Sequence, residues 1–206
     1  MKLSIFLNHH PINSSKYWEV RMKYNWDFVG GGRQTLYFAS SVFANVDKKL
    51  LGQLKSILDY GCATGDASPI FNIFYPEAKI FLHDISPSGV AKALNKFNRF
   101  LPVFKWNSEQ VDLVYCSNVI EHVSDPRLLV DELIKSSNKF VLIQAPWDEK
   151  LPNGDKISPN TPHGEHIWTI DDDFLNKYVM RDNVNWIMTF GNVELSWPGG
   201  KQVYLL

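Results

Sequence analysis

The chain has 206 residues, with 21 lysines and arginines against 22 acidic residues for a formal net charge of −1, and 45% of its residues are hydrophobic. That is the profile of one globular domain over residues 1–206, able to bury about 70% of its unfolded surface without a disulfide or metal staple. So even a charge balance carries no broad cationic footprint, which argues against nucleic acid as the main partner. The longest apolar run, residues 140–143, is far short of the roughly 20 residues that cross a bilayer, so no membrane span is expected. Residues 1–7 lack the long apolar region and small-residue cleavage site of a secretory signal. The two cysteines, Cys62 and Cys116, each lie beside an apolar run and read as small buried side chains in a reducing, cytoplasmic setting.

Residues 8–52 mix Tyr17, Trp18, Tyr24, Trp26, Phe28, Tyr37 and Phe38 with a Gly30-Gly31-Gly32 break. They predict two helical stretches around a flexible turn, a cover for the α/β core at 53–206. From Ser56 onward short apolar runs alternate with helical segments, the pattern of a parallel sheet wrapped by helices. Ile57-Leu58 opens a first strand, residues 79–82 form a second, 103–106 a short third, 111–116 a fourth and 140–144 a fifth. Ser86-Pro87 and Asp125-Pro126 each offer a capping oxygen followed by a proline at the first helical position. Thr169 with Asp172 makes a capping-box pattern ahead of Phe174, Leu175, Tyr178 and Val179. Residues 184–190 and 202–206, separated by Trp197-Pro198-Gly199-Gly200, read as a β-hairpin appended to the sheet.

The most informative stretch is Ile57-Leu58-Asp59-Tyr60-Gly61-Cys62-Ala63-Thr64-Gly65-Asp66. A strand here runs through a turn of small residues into a helix, which should leave backbone amides open at the carboxyl edge of the sheet, where open α/β sheets bind ligands. Asp84, at the end of the second strand and 19 residues past Gly65, stands where a carboxylate can hold both hydroxyls of a ribose. A dinucleotide fingerprint would put Cys62 or Ala63 where glycine is required. A nucleotide-dependent oxidoreductase with a degenerate loop therefore remains a minor alternative.

Three motifs occur in order: Leu58-Asp59-x-Gly61-x-Ala63-x-Gly65, then Asp84, then Val111-Asp112-Leu113-Val114 running into Ser117-Asn118-Val119-Ile120-Glu121-His122-Val123. Together they resemble the class I S-adenosylmethionine-dependent methyltransferases, especially the small-molecule branch, over roughly residues 50–180. The resemblance implies a Rossmann-like, doubly wound, seven-stranded α/β sheet, mostly parallel, whose antiparallel last strand the C-terminal hairpin would supply. It implies S-adenosyl-L-methionine as cofactor. Asp59, Gly61, Cys62, Ala63 and Gly65 would hold the methionine moiety, Asp84 the ribose and Ile85 the adenine, with Ser117 at the end of the fourth strand. Ala63 departs from the glycine usual at its position. The segment before the fourth strand is also short, leaving Asn107, Ser108 or Glu109 as candidates near adenine, with Asn107 taken as the contact.

Methyl transfer from a sulfonium is an in-line displacement, so alignment is the protein's main task and a base is needed only where the acceptor must lose a proton. His122 after the fourth strand reads either as that base, or a group lining the acceptor pocket, or as part of a Glu121-His122 pair that fixes the loop. His163, Glu165 and His166 concentrate in the segment before the last helix. Neighbours on extended chain point apart, so no metal is expected, and His166 is kept, with His122, as a catalytic candidate in the acceptor pocket. Residues 146–162, without periodicity, read as an acceptor-binding lid that includes Asp148 and Glu149. Tyr17 and Trp18, with Gly31 and Gly32, are second-line candidates for closing the cofactor pocket. The absence of an Asn/Asp-Pro-Pro-Tyr/Phe motif after the fourth strand points to a small-molecule or glycan-like acceptor, methylated at a hydroxyl. The competing reading is a non-catalytic, methyltransferase-like scaffold.

Overall fold

The computed structural model describes residues 10–192 and 200–206. Seven strands form one sheet in the order β3-β2-β1-β4-β5-β7-β6: β1 (Ser56–Tyr60), β2 (Lys79–His83), β3 (Val103–Lys105), β4 (Val111–Ser117), β5 (Ser137–Pro146), β6 (Met188–Asn192) and β7 (Lys201–Leu205). The first five pair in parallel, while β7 runs antiparallel to both β5 and β6. The expected hairpin strands are present with shifted bounds, the first at 188–192 where 184–190 was expected and the second at 201–205. Trp197, Pro198 and Gly199 of its proposed turn lie outside the described residues.

Alternation within the central strands sorts the core into two layers. In β4, Leu113 and Tyr115 join Ile57, Ile80 and Phe71 on one face, and Val114 and Cys116 join Leu58, Leu133 and Val203 on the other. A strand buried on both faces reads as a continuous apolar run, which is why residues 111–116 show so little polar alternation. Cys62 and Cys116 are both free and buried, one in each layer.

Helices α1 (Ser15–Tyr24) and α2 (Gly31–Asn45) precede the sheet, followed by α3 (Lys48–Leu51), α4 (Ser68–Phe74) after β1, α5 (Pro87–Phe97) after β2 and α6 (Pro126–Lys135) after β4. The caps expected for α5 and α6 form: the Ser86 hydroxyl accepts from the Gly89 amide at 3.1 Å, and Asp125 accepts from the Leu128 amide at 3.1 Å. The predicted capping box at Thr169 does not. Asp171 caps α7 (Asp172–Phe174) by accepting from the Phe174 amide at 2.9 Å, and a wide π turn, Leu175–Val179, continues it. Thr169 is buried, its hydroxyl donating to the Glu149 carbonyl at 2.6 Å and accepting from the Ile157 amide at 2.8 Å. Long-range partners have claimed the oxygen that local spacing assigned to a cap.

Two glycines of the N-terminal triplet serve packing. A Cβ on Gly31 would lie 2.3 Å from the Trp26 ring, and one on Gly32 would lie 2.8 Å from the Asp66 carboxylate. The α1 helix is then tied across the carboxyl edge of the sheet. Glu19 accepts from the Ser86 hydroxyl at 2.6 Å and from the Ser88 amide at 3.1 Å, and Lys92 donates to the Met22 carbonyl at 2.8 Å. Among the described residues, no helix is long and apolar enough to cross a membrane.

Candidate active site

A cavity of about 1010 Å³ opens at the carboxyl ends of β1, β2 and β4, beneath α1. One end is lined by Asp59, Gly61, Ala63, Asp84, Ile85 and Ser117, and the other by Trp18, Arg21, His122, Glu149, Glu165 and His166. The two ends are built differently.

The first end is a self-contained loop. Gly61 (φ +81°), Ala63 (φ +48°) and Gly65 (φ +75°) all take left-handed backbone, which is strained for alanine and easy for glycine. The amides expected to stand open are used internally: Gly61 and Cys62 both donate to the His83 carbonyl at 2.8 and 2.9 Å, Ala63 to Asp84 at 2.8 Å, and Gly65 to the Cys62 carbonyl at 2.7 Å. The loop thus offers a ligand its shape more than its donors. A Cβ on Gly65 would come within 2.6 Å of the Ala93 Cβ, so this glycine permits the loop to seat on α5. Gly89 does the same from the helix side, since its Cβ would lie 2.7 Å from the Ala63 carbonyl oxygen. Nothing in the motif pointed to Gly89, although a small residue in the first turn after Ser86-Pro87 is its trace.

Three acidic groups crowd this end. Asp59 is 3% exposed, and one of its carboxylate oxygens has no hydrogen-bond partner among the described residues. Burial, reinforced by the charges of Asp84 and Asp66, pushes its pKa well up. Burial also raises Asp84, against the opposing bonds from the Ser86 and Ala63 amides. Ile85 is exposed into the cavity, and Ser117 donates to Gln144 at 3.0 Å. Two expected contacts are not brought in. Cys62 turns its side chain into the core, and Asn107 sits exposed outside the cavity lining, where its side-chain oxygen accepts from the Glu109 amide at 3.3 Å.

The second end is assembled from distant segments. A 3₁₀ turn, Ile120–His122, follows β4 and aims His122 at the cavity, with its Nδ1 2.9 Å from the Glu165 carbonyl oxygen and its Nε2 3.8 Å from Glu121 Oε1. The His122 ring lies edge-on to Trp18 at 5.2 Å and to His166 at 4.9 Å between centroids. The His166 Nδ1 in turn meets the Glu149 carboxylate. As extended-chain geometry predicts, Glu165 and His166 diverge: Glu165 accepts from the Tyr17 hydroxyl at 2.6 Å and pairs with Arg21 at 2.9 Å. Burial and the charge of His166 push the His122 pKa down to about 4, so its imidazole is neutral near pH 7. Burial raises Glu121 to about 7, with His166 opposing, and its two oxygens have no hydrogen-bond partner among the described residues. Burial works against the charge of His166, but the Glu149 bond and the surrounding carboxylates outweigh it and raise its pKa.

The 146–162 segment is pinned more firmly than a free lid. Ile157 is buried and exchanges bonds with Thr169, and paired bridges fold the chain back at Lys150 with Lys156 and at Ser158 with Thr161. It supplies Pro146, Glu149 and Pro162 to the cavity, and Asp148 bonds Lys150 outside it. Glu149 and Glu165 carry no spacing signal that marks them, because their partners lie on other segments.

A family model described as "Methyltransferase domain" matches residues 34–185. The chain belongs to that methyltransferase family. The solved structures it resembles share the same architecture. A SAM-dependent methyltransferase from Aquifex aeolicus is 16% identical with a TM-score of 0.59, the match covering 87% of this chain and 94% of that one. The plantazolicin methyltransferase BpumL, solved with SAH, is 12% identical with a TM-score of 0.62 over 98% and 97% of the two chains. The N-methyltransferase NodS from Bradyrhizobium japonicum WM9, also solved with SAH, is 12% identical with a TM-score of 0.59 over 94% and 97%. No curated protein sequence matches. The methyltransferase has the class I fold, and family membership sets aside the oxidoreductase alternative.

Proposed function

We propose that this methyltransferase binds S-adenosylmethionine at the glycine-loop end of the cavity and transfers its methyl group to a hydroxyl of a small-molecule or glycan-like acceptor at the histidine end. The observation that carries this reading is the continuity of the two ends within one cavity of about 1010 Å³, at the top of the range of about 300–1,000 Å³ usual for a single small-ligand site.

The residues fit the cofactor. The unpartnered, buried oxygen of Asp59 suits a ligand ammonium, with the carboxylate of Asp84 beside it in the same cavity. Asp84 has one amide on each carboxylate oxygen, which fixes its plane while lone pairs remain for ribose hydroxyls. Ile85 offers an exposed apolar face for the base. The cofactor supplies a methyl group on cationic sulfur, and the protein's task is to align it. At the far end His122 is neutral and its Nδ1 is anchored on the Glu165 carbonyl, which leaves Nε2 as the atom that would take the acceptor's proton. The free, buried cysteines support action in a reducing, cytoplasmic compartment.

The reading is tested with methyl-labelled S-adenosylmethionine and a panel of small hydroxyl and amine acceptors. Label should enter O-methyl products, and His122→Ala should lower turnover by about 10²–10⁴-fold while leaving affinity for S-adenosylhomocysteine unchanged. Label confined to amine acceptors, or full turnover by His122→Ala, would overturn the hydroxyl assignment.

A further inference from the structure

We propose that Glu121, His122 and His166 bind a divalent transition-metal ion at the acceptor end of the cavity, as a two-histidine, one-carboxylate site with an open coordination position. The inference rests on the reading of that end as the acceptor site, and deepens it.

The first observation is convergence. One ligand atom from each of the three side chains can be chosen so that all lie within 4.8 Å of one another. Ligands about 2.1 Å from a common tetrahedral ion stand roughly 3.4 Å apart, so small side-chain rotations complete the site.

The second observation is an orphan. Glu121 is 0% exposed, yet both its carboxylate oxygens lack a hydrogen-bond partner among the described residues. Burying a carboxylate without partners is costly, and buried charges are found paired or on metals. His122 Nε2, 3.8 Å away, is too far for a hydrogen bond but is placed to share a cation.

The third observation is orientation. Each histidine already uses Nδ1 on an oxygen acceptor: His122 on the Glu165 carbonyl, His166 on the Glu149 carboxylate. Such outer partners hold each ring by Nδ1 and leave Nε2 as the remaining ligand atom, which is how metal-binding imidazoles are oriented. Glu149 and the Glu165 carbonyl are thus positioning groups. The expectation of no metal considered His163, Glu165 and His166 as neighbours along one stretch. The cluster instead draws two ligands from the end of β4 and one from the distant loop. His163 is exposed and Glu165 is turned to Tyr17 and Arg21.

Two imidazoles and a carboxylate select Zn(II), Fe(II), Co(II) or Mn(II) over Mg(II) and Ca(II), which prefer all-oxygen shells. His122 and His166 line the cavity, so a coordination position left open on that side would be available to an acceptor hydroxyl. A polarised hydroxyl loses its proton to solvent as its oxygen forms the bond to the methyl carbon. The carbon–sulfur bond breaks with its electron pair left on sulfur.

The test uses protein stripped with a chelator and titrated with Co(II) alone, followed by calorimetry and by the visible absorption of the bound ion. One equivalent should bind with a low-coordinate spectrum. Glu121→Gln and His166→Ala should each weaken binding at least 10-fold, Glu149→Gln should weaken it about 10–100-fold, and His163→Ala should leave it unchanged. No binding, or binding that Glu121→Gln and His166→Ala leave intact, overturns the site. S-adenosylhomocysteine affinity is measured on every variant: its retention shows that the variant is folded. Its absence in the wild type would count against the cofactor reading, separately from the metal.

Discussion

The two ends of the cavity differ in how far along the chain their parts lie. The loop of the glycine end is built from β1, the tip of β2 and the turn between β1 and α4, and the bonds donated by the amides of Gly61, Cys62, Ala63 and Gly65 span at most 22 positions, Ala63 to Asp84 and Cys62 to His83 among them. The histidine end joins Tyr17 to Glu165 across 148 positions and His122 to Glu165 across 43. A local turn has one geometry that its glycines and its acidic anchor dictate, whereas a composite site can be altered segment by segment. On this fold the first suits a shared cofactor and the second a particular acceptor.

Substitutions that load the two ends separately can break that contrast. The largest effect is expected at Gly65, where an added Cβ combines left-handed backbone with a 2.6 Å approach to Ala93; Gly65→Ala should lose about 2–4 kcal/mol of stability, read as a shift in denaturant midpoint. Next comes Asp84→Ala, which removes charge-assisted bonds and should weaken S-adenosylhomocysteine binding by about 2–3 kcal/mol. At the histidine end Gly164 also has positive φ, +61°, but nothing lies within 4 Å of its Cβ position, so Gly164→Ala should cost only about 1 kcal/mol. If Gly164→Ala proved the more damaging of the two glycine changes, the rigid-loop description of the glycine end would be wrong. The smallest effect is expected for Tyr17→Phe, which deletes the 2.6 Å bond to Glu165. Amides of α1 should lose about 1 kcal/mol of hydrogen-exchange protection while those of β1 and β4 keep theirs. Equal loss in the strands would show that the cover and the core open together.

The same contrast explains what could be read from the amino-acid sequence. Strands β1, β2 and β4, the caps at Ser86 and Asp125, and the pairing of the glycine turn with Asp84 depend on contacts a few residues long or on burial periodicity, and all were legible. Thr169 was misread because its hydroxyl is claimed by Ile157 and Glu149, 12 and 20 positions away. The open amides expected of the glycine loop were lost to the His83 carbonyl and Asp84, bonds that exist only once β1 and β2 pair. Cys62 and Asn107 were chosen by position along the motif, yet side-chain direction put one in the core and the other in solvent. Glu121 was seen merely as the neighbour of His122. Its isolation in the interior, and the second histidine beside it, are products of tertiary packing that no spacing encodes.

The central claim is that the glycine-loop end is the methyl-donor site. Calorimetric titration of S-adenosylhomocysteine into the wild type and into Asp84→Ala tests it most directly. Saturable one-to-one binding by the wild type, weakened roughly 30–150-fold in the variant, is the predicted result. No binding by the wild type, or equal affinity in both proteins, would contradict it.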